Sequence, residues 1–162
     1  MAKSKSKTTA KKAIPLTFQI TAVELANCTF NKFEGILPPE ILFSFAISLQ
    51  TGIEIPKKLV VTTVSVAIQN HDNSITYATA AVQCAFTITN FEEVFTIENG
   101  IVVLDEKAKE ISLRLNTIAI STTRGFLSHL FKGTFLSNAV LPIINPTQFG
   151  HPIHLPALGS AL

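Results

Sequence analysis

The amino-acid sequence predicts an α+β domain with two layers: a four-stranded antiparallel sheet, followed by one long helix and an extended C-terminal segment. Four runs with apolar residues at every second position come first in the chain, which is the pattern of half-buried strands. A single stretch with apolar residues at helical spacing follows them, and four prolines come after that stretch. Because the strands all precede the helix, we expect separate layers of sheet and helix.

The first strand is predicted within residues 16–33 and contains one change of phase. Phe18 and Ile20 alternate in one phase, whereas Val23 belongs to the other. Since successive side chains of a strand point to opposite faces, this change predicts a bulge near Thr21-Ala22.

The other three strands also follow a period of two, which is almost unbroken in the second strand. They are predicted within residues 41–49, 60–68 and 75–88. The sequence Asn-His-Asp-Asn at residues 70–73 is typical of a turn. The third and fourth strands should therefore form a hairpin.

The long helix is predicted between Asp105 and Gly133, and it carries two apolar stripes. The main stripe, which we expect to be buried, contains Ile111, Leu115, Ile118, Ala119, Thr122, Phe126 and Leu130. A second, weaker stripe contains Leu113, Ile120, Leu127 and Phe131. A helix with two apolar faces needs two partners, so we expect the sheet on one side and either a second copy of the helix or a client on the other. Lys132-Gly133 suits the negative end of the helix dipole and a left-handed cap.

The helix also contains the candidate oligomer interface, formed by Ile118, Thr122, Arg124 and Gly125. Gly125 would allow another backbone to approach, although a local weak spot in an ordinary helix explains it equally well. Arg124 would either pair with a carboxylate across the interface or extend its charged end to solvent. Both questions remain open at the level of the sequence.

The composition indicates one domain with more apolar surface than a soluble monomer usually has. Only 15% of the 162 residues are charged and 47% are hydrophobic, against about 25% charged in a typical soluble domain. Twelve residues are Phe and none is Trp, so many hydrocarbon rings must be buried or presented to an apolar partner. We expect a disordered basic arm over residues 1–14, one domain over residues 15–149 and a flexible tail over residues 150–162.

The basic character of the arm comes from Lys3, Lys5, Lys7, Lys11 and Lys12. Such an arm can contact nucleic acid or anionic lipid, but a short one is more often a solvated end, so we expect no nucleic-acid partner. No unbroken apolar run suits a secretory signal or a membrane span. Cys28 and Cys84 should be free thiols, as in the reducing cytoplasm.

No combination of residues in the sequence indicates a catalytic centre, and we expect neither a cofactor nor a metal. It has no glycine-rich phosphate loop. His151 and His154 could hold a metal ion in principle, but no Cys or carboxylate lies near them in the sequence, which favours a plain tail. Cys84 falls on an apolar strand face, where a thiol is inert.

The C-terminal half of the chain resembles the SecB export-chaperone superfamily. The resemblance rests on Arg124 within the long helix, the terminator Gly133-Thr134-Phe135, and the apolar, proline-containing segment 139–149 that ends in an aromatic residue. Phe18-Gln19-Ile20 at the start of the first strand also fits, as does the order of four strands before the helix. The resemblance therefore covers about residues 16–149.

The resemblance implies a four-stranded antiparallel sheet with two packed helices, assembled as a tetramer of two dimers. It also implies ATP-independent binding of unfolded polypeptide in apolar grooves between the sheet, the crossover loop and the helix. The acidic C-terminal tail with which family members engage the translocase motor is missing, and a basic N-terminal arm is added. Delivery to the export machinery is therefore open, and a solitary chaperone of a dedicated client, such as an antitoxin, fits as well.

The candidate groove for unfolded clients is lined by phenylalanines from the sheet, the helix and the crossover. We expect these to be Phe18, Phe30, Phe33, Phe43, Phe45, Phe86, Phe91, Phe95, Phe126, Phe131 and Phe135. For each of them, burial in the core is the competing interpretation. Two other functions remain as alternatives: an enzyme or small-ligand binder with a pocket between subunits, and a module that sequesters one folded partner.

Overall fold

A computed structural model of the chain describes residues 17–32, 41–98, 101–103 and 106–149. The expectations for the basic arm, the C-terminal tail from residue 150, Phe33 and the two tail histidines lie outside these residues. None of the helices in these ranges has the length and hydropathy that are needed to cross a membrane.

One sheet of four antiparallel strands confirms the predicted fold class. The strands are β1 (Phe18–Phe30), β2 (Phe43–Glu54), β3 (Leu59–Asn70) and β4 (Thr76–Ile88). Their order across the sheet is β1-β4-β3-β2. The first two strands of the chain therefore lie at opposite edges, and the hairpin of β3 and β4 forms the centre.

Strand β1 contains the predicted bulge and a second one. Its register against β4 shifts between Ile20 and Ala22, and again between Leu25 and Asn27. Each shift moves the apolar phase of the strand back to the same face of the sheet. The residues that consequently pair with the inward-facing side chains of β4 are Phe18, Ile20, Val23, Leu25, Cys28 and Phe30.

The predicted hairpin turn is present between β3 and β4. Asn73 adopts the left-handed conformation, with φ of 60°, which asparagine tolerates better than most residues. The Asp72 carboxylate accepts hydrogen bonds from the Ser74 backbone N–H at 3.0 Å and from its hydroxyl at 2.7 Å. Local polar contacts of this kind stabilise the turn without help from the core.

The long helix, α2, spans Glu106–Leu130 and packs over β3 and β4. Beyond it the chain reverses at Gly133, whose φ of 81° is the predicted left-handed conformation. The expected main stripe is only partly correct, because Ile118, Thr122, Phe126 and Leu130 are half-exposed. Much of the second stripe is buried instead.

Polar residues lie on the buried face of α2, which explains the error. Ser112, Asn116 and Thr123 are buried, and a stripe drawn without them places the centre of the buried face too far round the helix. Thr51 donates a hydrogen bond to the Asn116 side-chain oxygen at 3.1 Å. The hydroxyls of Ser112 and Thr123 have no hydrogen-bond partner among the described residues, which costs stability relative to an apolar side chain.

The remaining elements are short. A one-turn helix, α1 (Phe91–Val94), follows β4, and a small hairpin of β5 (Thr96–Glu98) and β6 (Ile101–Val103) precedes α2. After α2 the described chain is irregular up to a 3-10 turn at Pro146–Phe149. The resemblance to SecB implied two packed helices, and α2 is the one long helix among the described residues.

Candidate functional site

Five aromatic residues meet at the end of the sheet where β1 finishes and β2 begins. This open cluster comprises Phe30, Phe43, Tyr77, Phe131 and Phe135. The ring of Phe30 lies edge-on to Phe131 and Phe135, with centroid separations of 5.9 and 6.5 Å. Tyr77 lies edge-on to Phe43 at 6.0 Å and to Phe135 at 6.3 Å. Such edge-to-face contacts are the favoured geometry for aromatic pairs.

Local structure positions each member of the open cluster. Phe30 ends β1 and Phe43 begins β2, so the connection between the two edge strands starts and finishes beside the cluster. The turn after α2 directs Phe135 back towards the sheet. Within it, the Thr134 hydroxyl donates to the Phe131 carbonyl at 2.7 Å and accepts from the Leu136 N–H at 3.1 Å.

The open cluster has a buried floor and an exposed rim. Tyr77 and Phe131 are buried, whereas 43% of Phe30 and 41% of Phe135 are exposed. Leu42 and Ile75, which lie at the same end of the sheet, are also exposed. The rings of the open cluster form an apolar surface at one end of the domain, of the kind that marks interaction sites.

The inner face of β1 extends this apolar surface along the sheet edge. Phe18, Ile20, Val23 and Cys28 are half-buried and Leu25 is exposed. The helix packs mainly over β3 and β4. The two bulges of β1 therefore create an apolar stripe that the domain itself covers only in part.

The structure brings together four of the predicted groove residues, namely Phe30, Phe43, Phe131 and Phe135. Phe45 is half-buried on the same face, in the row formed by Phe30, Ala78, Ile68 and Phe45 across all four strands. Phe18 lies at the other end of β1, and Phe126 is half-buried on the helix.

Three other predicted groove residues are core residues and must be withdrawn from the groove. Phe86 lies on β4, a central strand, and is completely buried. Phe91 and Phe95 are also sealed, with their ring centroids 5.0 Å apart. Because strand spacing is the same at the centre and the edge of a sheet, it cannot separate Phe86 from Phe30 at the rim. Phe91 and Phe95 lie in and directly after the short helix α1, not on a strand.

Tyr77 is a member of the cluster that sequence reasoning missed. Simple alternation places it on the face opposite Ala78. However, Ile68 pairs with Ala78 and Gln69 pairs with Thr76, which leaves Tyr77 as an extra residue in β4. At such a bulge the alternation of faces is interrupted, and Tyr77 is buried beside Ala78. Tyr77 lies four residues after the turn residues 70–73, and this closeness is the sequence signal that could have indicated a bulge.

Arg124, a member of the candidate oligomer interface, meets neither of its two expectations. Its guanidinium donates to the carbonyl oxygens of Leu141 and Pro142, both at 2.9 Å, within the same chain. Ile118 and Thr122 are half-exposed and Gly125 is exposed. A methyl group added at Gly125 would meet no described atom within 4 Å.

The described titratable residues form no cluster that would suit catalysis. Burial raises the pKa of both cysteine thiols, Cys84 and Cys28. Both cysteines are free. Within the described ranges, no group of three or more His, Cys, Asp or Glu side chains could hold a metal ion.

A depression of about 740 Å³ lies on the other face of the sheet. Small or polar side chains such as Ala22, Gly52, Thr63, Gln83 and Ala85 form much of its lining. It is separated from the open cluster by the sheet itself.

The comparisons with known proteins support the architecture described above. No family model matches the chain, and no curated protein matches its sequence. The structure is similar to the Mycobacterium tuberculosis Rv1957 SecB-like chaperone in complex with a ChAD peptide from the Rv1956 HigA1 antitoxin. The TM-score is 0.51 with 11% identity, over 78% of this chain and 87% of that chain.

The fold is SecB-like. At this level of identity the similarity concerns the fold and does not extend to individual residues. It agrees with the order of elements that the sequence resemblance implied.

Proposed function

We propose that this SecB-like chain is a cytoplasmic, ATP-independent chaperone that binds extended or non-native polypeptide at the open cluster. The observation that carries the proposal is the partial exposure of Phe30 and Phe135 over a buried aromatic floor. A chain that seals Phe86, Phe91 and Phe95 so completely is able to bury its rings. Apolar rings kept at the surface at one end of the sheet are suited to an apolar partner.

Strand β2 provides a backbone for such a partner. It is an edge strand, and all twelve of its residues, from Phe43 to Glu54, pair with β3 without a bulge. Glu54 is the one charged residue within it. A long, regular edge with few charges is open to strand addition, in which main-chain hydrogen bonds provide affinity and nearby pockets provide specificity. Because β2 begins at Phe43, an added peptide would reach the open cluster.

The nature of the client is suggested by the similar structure. That protein was solved with a peptide from an antitoxin, which favours a dedicated polypeptide client over general delivery to the export machinery. In our proposal the chain protects such a client until its partner or its folded state takes over.

Self-association completes the proposal. The half-exposed Ile118 and Thr122, together with Gly125, form a face of α2 that a second copy can approach closely. We propose a homotetramer built from two dimers. Native mass spectrometry, with and without an unfolded substrate, measures the number of subunits and the stoichiometry of the client.

The experiment that tests the function introduces a charge at the rim. Phe30→Asp and Phe135→Asp should each abolish protection of an aggregating client, measured by light scattering without nucleotide, and leave the circular dichroism spectrum unchanged. Ile97→Asp is the matched control, because Ile97 is an exposed apolar residue of similar exposure on the separate β5–β6 hairpin. Undiminished protection by both rim variants, with wild-type spectra, contradicts the proposed site.

A further inference from the structure

Arg124 joins the long helix to the segment that returns along it. Its Nε donates to the Leu141 carbonyl and its Nη2 to the Pro142 carbonyl, each at 2.9 Å. Neither of these carbonyls belongs to a helix or a strand. Leu141 is buried and Pro142 is exposed. A buried carbonyl outside regular structure needs a donor from elsewhere, and hydrogen bonds from a charged donor are stronger than neutral ones.

The returning segment, residues 135–143, is apolar on both sides. Leu136, Ala139 and Leu141 are buried against the core, whereas Phe135 and Val140 project outwards and Ile143 is 92% exposed. The segment therefore has an inner side that attaches it to the domain and an outer side that continues the rim of the open cluster.

We propose that Arg124 is the positioning residue of the open cluster. By holding the carbonyls of Leu141 and Pro142, it fixes the segment that begins at Phe135, and so keeps the Phe135 ring against Phe30 and Tyr77. The inference rests on the proposed function, since the cluster is the site at which the client binds. A pre-positioned rim binds an extended chain more tightly because less conformational freedom is lost on binding.

The geometry requires arginine rather than a positive charge alone. Two donors of one planar guanidinium reach two consecutive carbonyls, whereas a lysine ammonium is a compact donor on a flexible stem. Lysine at position 124 should therefore restore only part of the effect.

The test compares Arg124→Ala and Arg124→Lys with Arg114→Ala. Arg114 lies on the same helix, is exposed, and contacts Glu110 at 2.7 Å, so its removal changes the net charge equally without touching the returning segment. Three quantities are measured for each full-length variant: the Kd for an unfolded client, hydrogen–deuterium exchange of residues 134–149, and the fluorescence of Tyr77. Tyr77 is the one tyrosine in a chain without tryptophan, so its emission reports directly on the open cluster.

Arg124→Ala should weaken client binding about tenfold, change the Tyr77 emission and accelerate exchange in residues 134–149. Exchange in the β3–β4 hairpin should stay at the wild-type level, because the core is intact. Arg124→Lys should lie between Arg124→Ala and the wild type, and Arg114→Ala should match the wild type.

Two results overturn the inference. One is unchanged affinity and Tyr77 emission in Arg124→Ala. The other is accelerated exchange throughout the domain, which would make Arg124 a general stabilising residue. Failure of the proposed function is a separate result: wild-type protein that binds no unfolded client refutes it, while exchange and Tyr77 emission still test whether Arg124 positions the cluster.

Discussion

Two groups of phenylalanines, alike in the sequence, have opposite positions in the domain. Phe86, Phe91 and Phe95 are sealed inside it, whereas Phe30 and Phe135 are exposed at its rim. Phe86 and Phe30 both lie on strands in which apolar residues alternate with others, and both face the helix side of the same sheet. They differ because β4 is a central strand beneath α2 and β1 is an edge strand beside it. The place of a strand in the sheet, rather than the spacing of its residues, decides whether a ring belongs to the core.

The largest expected difference is in stability. Phe86→Ala should lower the free energy of unfolding by about 3–5 kcal/mol, because it leaves a cavity in a closed core. Phe30→Ala should lower it by about 1 kcal/mol, since much of that ring is already in water and mainly its aromatic contacts are lost. Urea unfolding of both variants measures the two values, and equal losses would remove the distinction between the sealed and open groups.

A smaller effect of opposite sign is expected inside the sealed region. Thr123→Val replaces a buried hydroxyl without a hydrogen-bond partner among the described residues, and should raise the free energy of unfolding by about 1 kcal/mol. Thr117→Val on the same helix is the control, because the Thr117 hydroxyl is exposed and donates to the Leu113 carbonyl at 2.9 Å. A loss of stability in Thr123→Val would show that the hydroxyl has a partner in solution, such as a bound water.

Acidification should weaken a surface contact beside each group. The Lys58 side chain, through a hydrogen bond, lowers the pKa of Glu92 next to the sealed rings, and the Ser74 hydroxyl and N–H lower the pKa of Asp72 in the turn near the open cluster. A carboxyl with a lowered pKa in the folded state stabilises the fold above its unfolded pKa, and this stabilisation is lost as the pH falls through the folded value. Stability should therefore decline below the ordinary values of 4.5 for Glu and 3.8 for Asp.

The variants Glu92→Gln and Asp72→Asn test whether these two carboxyls cause the loss of stability at acidic pH. Each variant should show a shallower decline than the wild type in urea unfolding measured across acidic pH. Because both carboxyls are exposed, the changes should be small. A wild-type slope in both variants would place the acid sensitivity elsewhere.

The smallest expected effect concerns the two cysteines, which differ in burial as the two groups of phenylalanines do. Cys28 is half-buried on β1 and Cys84 is fully buried on β4. With a thiol reagent under native conditions, we expect Cys28 to react slowly, because burial raises its pKa. Cys84 should react only when the domain opens, at a rate that increases in urea. Equal native rates would show that the centre of the sheet is as accessible as its edge.

Local patterns predicted the order of the elements well. The phase change near Thr21 located a bulge, the residues 70–73 located the hairpin turn, and Gly133 located the reversal after the helix. In each case the evidence lies within a few residues of the feature, because backbone conformation there depends on the chain's own sterics and hydrogen bonds.

The candidate site was predictable only in part. Phe30, Phe43, Phe131 and Phe135 were expected in one groove and do meet, but their role in binding remains a prediction. Tyr77 was missed because a bulge interrupts the alternation of β4. The buried face of α2 was misplaced because Ser112, Asn116 and Thr123 lie on it.

The sequence by itself determined the α+β class, the first bulge of β1, and where the long helix starts and ends. Only the tertiary structure decided which rings are sealed, which face of α2 meets the sheet, and that Arg124 holds two carbonyls of its own chain. The physical reason is distance along the chain: helices, turns and bulges depend on neighbouring residues, whereas burial and the partners of a long side chain depend on segments that meet only after folding.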